Sequence, residues 1–148
     1  MTPDENKQRV LACWQAFASR DEAAIRSFFK ADAVWIAPQG NATAIALGAS
    51  SGFTGADAIA RFIARDMPKL FVADVSVEIL AVHTAGDAII VEERMRAKLA
   101  NGRPYENDYC FVFEMEDGLI AVMREYMDTA KGFSMIFGTG PAIPIAGL

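Results

Sequence analysis

Histidine and cysteine are almost missing from this chain: His83 stands alone, and Cys13 and Cys110 are the two thiols. A solitary histidine excludes the commoner metal centres, and no cluster of His, Cys or carboxylates has ligand spacing. His83 lies just before Thr84-Ala85-Gly86, near a strand end, where it reads as a surface or structural residue. Cys13 falls in a helical pattern and Cys110 in a strand pattern, so both read as reduced, buried small hydrophobes. No apolar run reaches the length of a membrane span. The segment Met1-Thr2-Pro3-Asp4-Glu5-Asn6 is polar and acidic, without the layout of a signal peptide, so the cytoplasm is the expected address. Basic residues are few and scattered, with a net charge of -5, which argues against nucleic acid. Gly48-Ala49-Ser50-Ser51-Gly52 lacks the lysine of a phosphate loop, and no nucleophile elbow occurs. The expectation is a protein that works without a cofactor, a metal, a nucleic acid or a membrane.

What the chain does have is apolar content, 53% of 148 residues, enough for one domain with a full core. Thr2-Pro3-Asp4-Glu5 has the layout of a helix start, and Val10, Cys13, Trp14 and Phe17 recur at helical spacing. Asp21 opens a second short helix through Ile25, Phe28 and Phe29. Ala33 to Ala37 reads as a short strand stopped by Pro38-Gln39-Gly40. Residues 39–54 are rich in Gly, Ala, Ser and Asn and read as a loop or a small hairpin. A third helix runs from Gly55 to Leu70, with a bend or early stop at Pro68.

Four strand-like runs follow, at 74–84, 87–99, 104–116 and 119–128. Ala85-Gly86-Asp87, Asn101-Gly102 and Asp117-Gly118 separate them, and the last two are hairpin signals. Short turns force antiparallel neighbours, so this half is a meander, and helices before strands give an α+β layout. The tail from Ala130 begins helically and ends in an apolar Gly/Pro-rich segment. Residues 1–148 read as a single domain, with the tail of about 130–148 packing on a pocket mouth or on a dimer partner.

Asn101-Gly102-Arg103-Pro104-Tyr105-Glu106-Asn107-Asp108-Tyr109 leads into Phe111-Val112-Phe113-Glu114-Met115-Glu116-Asp117-Gly118-Leu119-Ile120, and the run closes with Arg124-Glu125-Tyr126-Met127-Asp128-Thr129. This stretch, with the helices before it, resembles the SnoaL-like branch of the ketosteroid-isomerase and nuclear-transport-factor superfamily. The resemblance implies a cystatin-like cone: a curved antiparallel sheet, packed by N-terminal helices, whose concave face forms a pocket. It also implies a homodimer and a small apolar organic ligand. Family members include polyketide cyclases, isomerases, epoxide hydrolases, dehydratases and phenazine-biosynthesis A/B proteins as well as non-enzymes, so the site has to be read directly.

Glu125 is the leading catalytic candidate. Strand alternation sets Ala121, Met123, Glu125 and Met127 on one face, where apolar neighbours would raise the carboxyl pKa toward that of a general acid or base. The alternative is a structural Glu125 paired with an arginine. Arg94 could orient Glu125 or bind an anionic group, or it could belong to a solvated face with Glu92, Arg96 and Lys98. Relatives of the limonene-epoxide-hydrolase type carry Arg-x-Asp near here, whereas this chain has Arg94-Met95-Arg96, which counts against water activation. The steroid-isomerase base position is Ala37, and the second acid is matched most plausibly by Tyr109. Where phenazine-type proteins carry His and Ser on the third helix, this chain offers Ile59 and Ile63. Tyr105, Asn107, Tyr109, Phe111 and Phe113 share a face whose polar members could orient a carbonyl or simply pack. Trp35 faces either the pocket or the core. The candidate substrate-binding set is therefore Trp35, Ile59, Ile63, Arg94, Asn107, Tyr109, Phe111 and Met123.

Two functions remain open at this point. One is an isomerase, cyclase or dehydratase that uses Glu125 as general acid/base. The other is a non-catalytic ligand-binding or dimerisation module of the same fold. A buried, unpaired Glu125 beside a cavity favours the first; a filled cavity with Glu125 paired favours the second.

Overall fold

The computed structural model describes residues 1–148. Helix α1 (Pro3–Ser19) starts on a reciprocal cap: Thr2 Oγ1 accepts from the Glu5 amide at 3.1 Å, and Glu5 Oε2 accepts from the Thr2 amide at 2.7 Å. Helix α2 (Glu22–Arg26) is capped by Asp21 but stops earlier than the apolar spacing predicts. Phe29 instead opens strand β1 (Phe29–Ile36), pairing with the last strand of the sheet.

Residues 39–54 hold more structure than a loop. Asn41 caps helix α3 (Ala42–Leu47), accepting from the Ala44 amide at 3.0 Å, and a short strand β2 (Gly52–Thr54) pairs antiparallel with β1. The predicted third helix is split by a π-helical turn. Helix α4 (Ala56–Arg61) passes into π-helix at Phe62–Asp66 before α5 (Met67–Leu70). Pro68 has no N–H to give and would press on the carbonyl four residues back. Widening the preceding turn avoids that clash and sends Phe62 and Ile63 inward, both buried.

The rest is the expected meander: β3 (Phe71–Ala85), β4 (Ala88–Leu99), β5 (Pro104–Glu116) and β6 (Leu119–Met127). Asp117 and Gly118 take φ of 51° and 77°, the two left-handed positions of a turn whose twist matches the strands it joins. Strand order is β2-β1-β6-β5-β4-β3. All neighbours are antiparallel except β1 and β6, which run parallel with Trp35 opposite Met123. The sheet is curved and does not close. Its concave face carries the core with α1 and α4 against it, while the convex face is charged.

Helix α6 (Thr129–Phe137) follows β6, and the tail then folds back on its own chain. The Ile145 amide donates to the Ala46 carbonyl at 2.9 Å, so the tail braces α3. No tail residue borders the main cavity.

Gly52 marks where two strands come closest. A Cβ there would sit 2.7 Å from the Trp35 carbonyl oxygen, a backbone atom that cannot swing away. Gly52→Ala is expected to push β2 off β1 and to cost about 1–3 kcal/mol, as overpacking does. A urea titration should show the lower midpoint, and an unchanged midpoint would mean that β2 is free to move.

Candidate functional site

The concave face and the helices enclose a cavity of about 570 Å³ lined by 28 residues, 19 of them hydrophobic. Trp14 and Phe17 reach in from α1, Trp35 from β1 and Phe62 from the π turn, while β5 and β6 supply Tyr109, Phe111, Met123 and Glu125. The mouth lies between the end of α1, with Gln15, Ala18 and Arg20, and the edge strand β3, whose Val75, Val77 and Ile79 are exposed.

Two carboxylates enter this apolar space. Glu125 is 9% exposed and has no ion-pair partner. Burial pushes its pKa up to about 8, helped by the charge of Glu93 and opposed by the indole of Trp35. Glu93 is 4% exposed, and burial pushes it up to about 7, opposed by a hydrogen bond from Trp14 Nε1 to its carboxylate. The register sets Glu93 opposite Tyr109 and Phe111 opposite Glu125. The two acids thus sit on either side of β5, one pleat apart, on the same concave face. Arg20, at the mouth, is the only basic residue on the lining. The cavity therefore holds two acids and no buried cation to neutralise them.

Glu93 is absent from the sequence-based set, although the signal was there. Strand β4 alternates Val91, Glu93, Met95, Ala97 and Leu99 inward, all buried, so an acid stands in an otherwise apolar row. The same alternation turns Arg94 outward. Its guanidinium makes a two-pronged pair with Asp108 at 2.8 and 3.2 Å on the convex face and takes no part in the cavity. Arg96 joins Glu106 and Glu78 beside it.

Of the remaining candidates, Trp35, Ile63, Tyr109, Phe111 and Met123 border the cavity, whereas Ile59 and Asn107 do not. Ile59 is fully buried in the core. Asn107 Nδ2 donates to the Asp128 carbonyl at 3.0 Å and to Tyr105 Oη at 3.3 Å, while its Oδ1 accepts from the Asp108 amide at 2.9 Å. It is thus spent on joining β5 to the start of α6. The hydroxyls of Tyr105 and Tyr109 lie 2.6 Å apart and share one hydrogen bond, and burial raises the pKa of both. Ala37 lies on the lining and leaves a methyl group where the steroid isomerases carry their base. His83 is exposed and sits 2.9 Å from Glu92 on the convex face. Both cysteines are free, Cys13 being buried in the core. No group of three or more His, Cys, Asp or Glu is placed to hold a metal ion, and no helix is long and apolar enough to cross a membrane.

The acids oppose folding in a definite pH window. In the unfolded chain a Glu titrates near about 4.3, so the folded protein binds more protons than the unfolded one above that pH. Stability is fully present below that value and falls as pH rises through about 7 and about 8, where the buried pair ionises. Glu125→Gln is therefore expected to flatten this fall and to leave the protein more stable than wild type at pH 8 by a few kcal/mol. Thermal melts from pH 5 to 9 check it, and parallel curves would mean that Glu125 ionises as freely folded as unfolded.

No curated protein matches this chain. Solved structures do. An NTF2-like protein of unknown function from Burkholderia pseudomallei superposes with a TM-score of 0.79 at 24% identity, over 92% of this chain and 98% of that one. TerC, co-crystallised with polyporic acid, gives 0.75 at 23% identity, over 91% and 98%. An LEH-like epoxide hydrolase from M. tuberculosis gives 0.69 at 21%, over 90% of each. At these identities the likeness is one of fold. The family model for the SnoaL-like domain matches residues 10–123, which takes in Trp14, Trp35 and Glu93 and stops two residues short of Glu125. With that match covering most of its length, the chain belongs to the SnoaL-like domain family.

Proposed function

We propose that the protein is a cofactor-free acid–base enzyme, of isomerase, cyclase or dehydratase type, acting on a small apolar organic molecule. The observation that carries the reading is the pair Glu93 and Glu125, buried in one open cavity and held without a counter-cation. A structural carboxylate would be expected to have an arginine beside it, and the arginines of β4 are occupied on the other face.

The environments of the two acids separate their roles. Trp14 donates to Glu93 and favours its ionised form, whereas Glu125, more heavily desolvated and facing a neighbouring charge, keeps its proton longer. Of the two, Glu93 is the better placed as base and Glu125 as acid, a direction set by the Trp14 hydrogen bond to one and the deeper burial of the other. Glu93 removes a proton from the carbon between a carbonyl and a C=C bond, the C–H electron pair becomes the new C=C bond of a dienol, and the carbonyl π pair takes the proton of Glu125 onto oxygen. Glu93 then returns its proton to the far carbon of the dienol while the O–H proton goes back to Glu125, which gives the conjugated isomer and restores both carboxyls, with no net oxidation. Tyr109 lines the same cavity from β5, between the two acids, and Asn41, Thr43 and Ser51 add further polar side chains. The working form we expect is a cytoplasmic homodimer.

The test is deuterium exchange into enolisable aryl ketones in D₂O, followed by proton NMR. Glu125→Gln and Glu93→Gln are each expected to slow exchange by about 10²–10⁴-fold. The pH profile of kcat/KM should be a bell, rising through about 7 and falling through about 8, with limbs that belong to the coupled pair. Exchange that survives both substitutions would sink the acid–base reading and leave a ligand-binding module.

A further inference from the structure

Arg20 is the one cation on the cavity lining, and its backbone is strained. It caps the C-terminus of α1 at φ 57° and ψ 19°, the left-handed conformation that helix ends usually give to glycine. The other two non-glycine residues at positive φ are Asp74 and Asp117, a residue type whose short side chain can bond the nearby backbone. An arginine has no such compensation. The cap itself needs only the main chain, since it is the Arg20 amide that donates to the Phe17 carbonyl at 3.2 Å. The guanidinium enters no ion pair. The acids that follow it in sequence are engaged elsewhere: Asp21 accepts from the Ala24 amide at 3.1 Å, and Glu22 pairs with Arg65 at 2.6 Å. An exposed, unpaired arginine thus stands at the mouth at a cost in backbone strain.

We propose that Arg20 selects substrates carrying a carboxylate at the end opposite their reacting carbonyl, and holds that carboxylate at the mouth while the carbonyl end reaches Glu93 and Glu125. The proposal rests on the acid–base reading above and adds the class of its substrate, an apolar keto acid. Charge fixes the direction of entry. A carboxylate carried inward would lose its water beside two acids and no buried cation. At the mouth it keeps part of its water and meets a guanidinium, whose planar fork matches the two oxygens of a carboxylate. A phosphate, with its higher charge, is disfavoured further by the protein's net charge of -5. Helix α1 sets the spacing. Trp14, bonded to Glu93, and Arg20 stand on it about 9 Å apart at the usual helical rise. The stretch between is apolar, with Phe17 and Ala18 on the helix side and Val75, Val77 and Ile79 on the lip of β3. The ligand that fits is polar at both ends and apolar between them.

The experiment uses three keto acids on one skeleton: 6-acetyl-2-naphthoic acid, (6-acetyl-2-naphthyl)acetic acid and 4-(6-acetyl-2-naphthyl)butanoic acid. Each is titrated by calorimetry beside its primary amide, which keeps the ketone and the shape but removes the charge. The growing tether covers the reach of the arginine. At low salt at least one acid is expected to bind about fivefold more tightly than its amide, the upper range for an exposed ion pair. Arg20→Gly suits the left-handed backbone and so keeps the fold, which its melting curve checks. In that variant the advantage of the acid should vanish, because the remaining charges of the cavity are negative. A wild-type protein that binds no acid better than its amide, binding of no acid up to its solubility limit, or an acid preference that survives in Arg20→Gly would each overturn the proposal. Failure of the acid–base reading is separately visible: the acid is preferred and Arg20→Gly removes the preference, but the acetyl methyl group takes up no deuterium in D₂O.

Discussion

The two carboxylates inside the cone are the constraint on which the rest of the site depends. An ionised carboxylate taken out of water needs a cation or a set of donors, and failing those it holds its proton. Glu93 has one donor, the Trp14 indole, and Glu125 has the Trp35 indole beside it, neither enough to offset burial. Neither has a cation. The pair therefore titrates in the range where proton transfer to and from carbon acids is efficient, and the aromatic walls that keep water away also set its basicity.

The convex face explains why no cation is left over for the interior. Arg94 is taken by Asp108, Arg96 by Glu106 and Glu78, Arg124 by Glu114, and Lys131 reaches Glu106. These pairs are exposed and individually weak. Their consequence is sorting: strand alternation sends every second residue outward, and the outward set carries all the strand cations. A shift of one residue in the register of β4 would put Arg94 in the cavity and Glu93 in solvent, reversing the chemistry of the site. The register is held by the inward row of Val91, Met95, Ala97 and Leu99, which has nowhere else to bury itself.

Much of this was legible in the sequence, and the misses have physical causes. The hairpin turns at Gly86-Asp87 and Asp117-Gly118 set the meander because Gly86, Asp117 and Gly118 take left-handed dihedrals that few residues tolerate. Glu125 stood out as an acid in an apolar row. Glu93 stood in an equivalent row but sits in Glu92-Glu93-Arg94, where the outward charges draw the eye to the other face. Arg94 was placed among the site residues by resemblance to enzymes that use an arginine near here, and alternation overrides that analogy. Asn107 looked like a ligand group because a buried amide on an aromatic strand often is one. Its partner Tyr105 lies two residues away on the same strand face, but the Asp128 carbonyl at the start of α6 is 21 residues on and could not be seen. Helix α3 was hidden by its composition, and its signal was the single cap Asn41.

The two acids have unlike surroundings. Burial raises both carboxyls and an indole opposes the rise at each, so the difference between them comes from the deeper burial of Glu125 and the charge of Glu93 that it faces. That asymmetry comes from the fold: Trp14 sits on a helix, packed edge-on against Phe111 and Phe113 and aimed at β4, while Trp35 is fixed in the sheet itself beside β6.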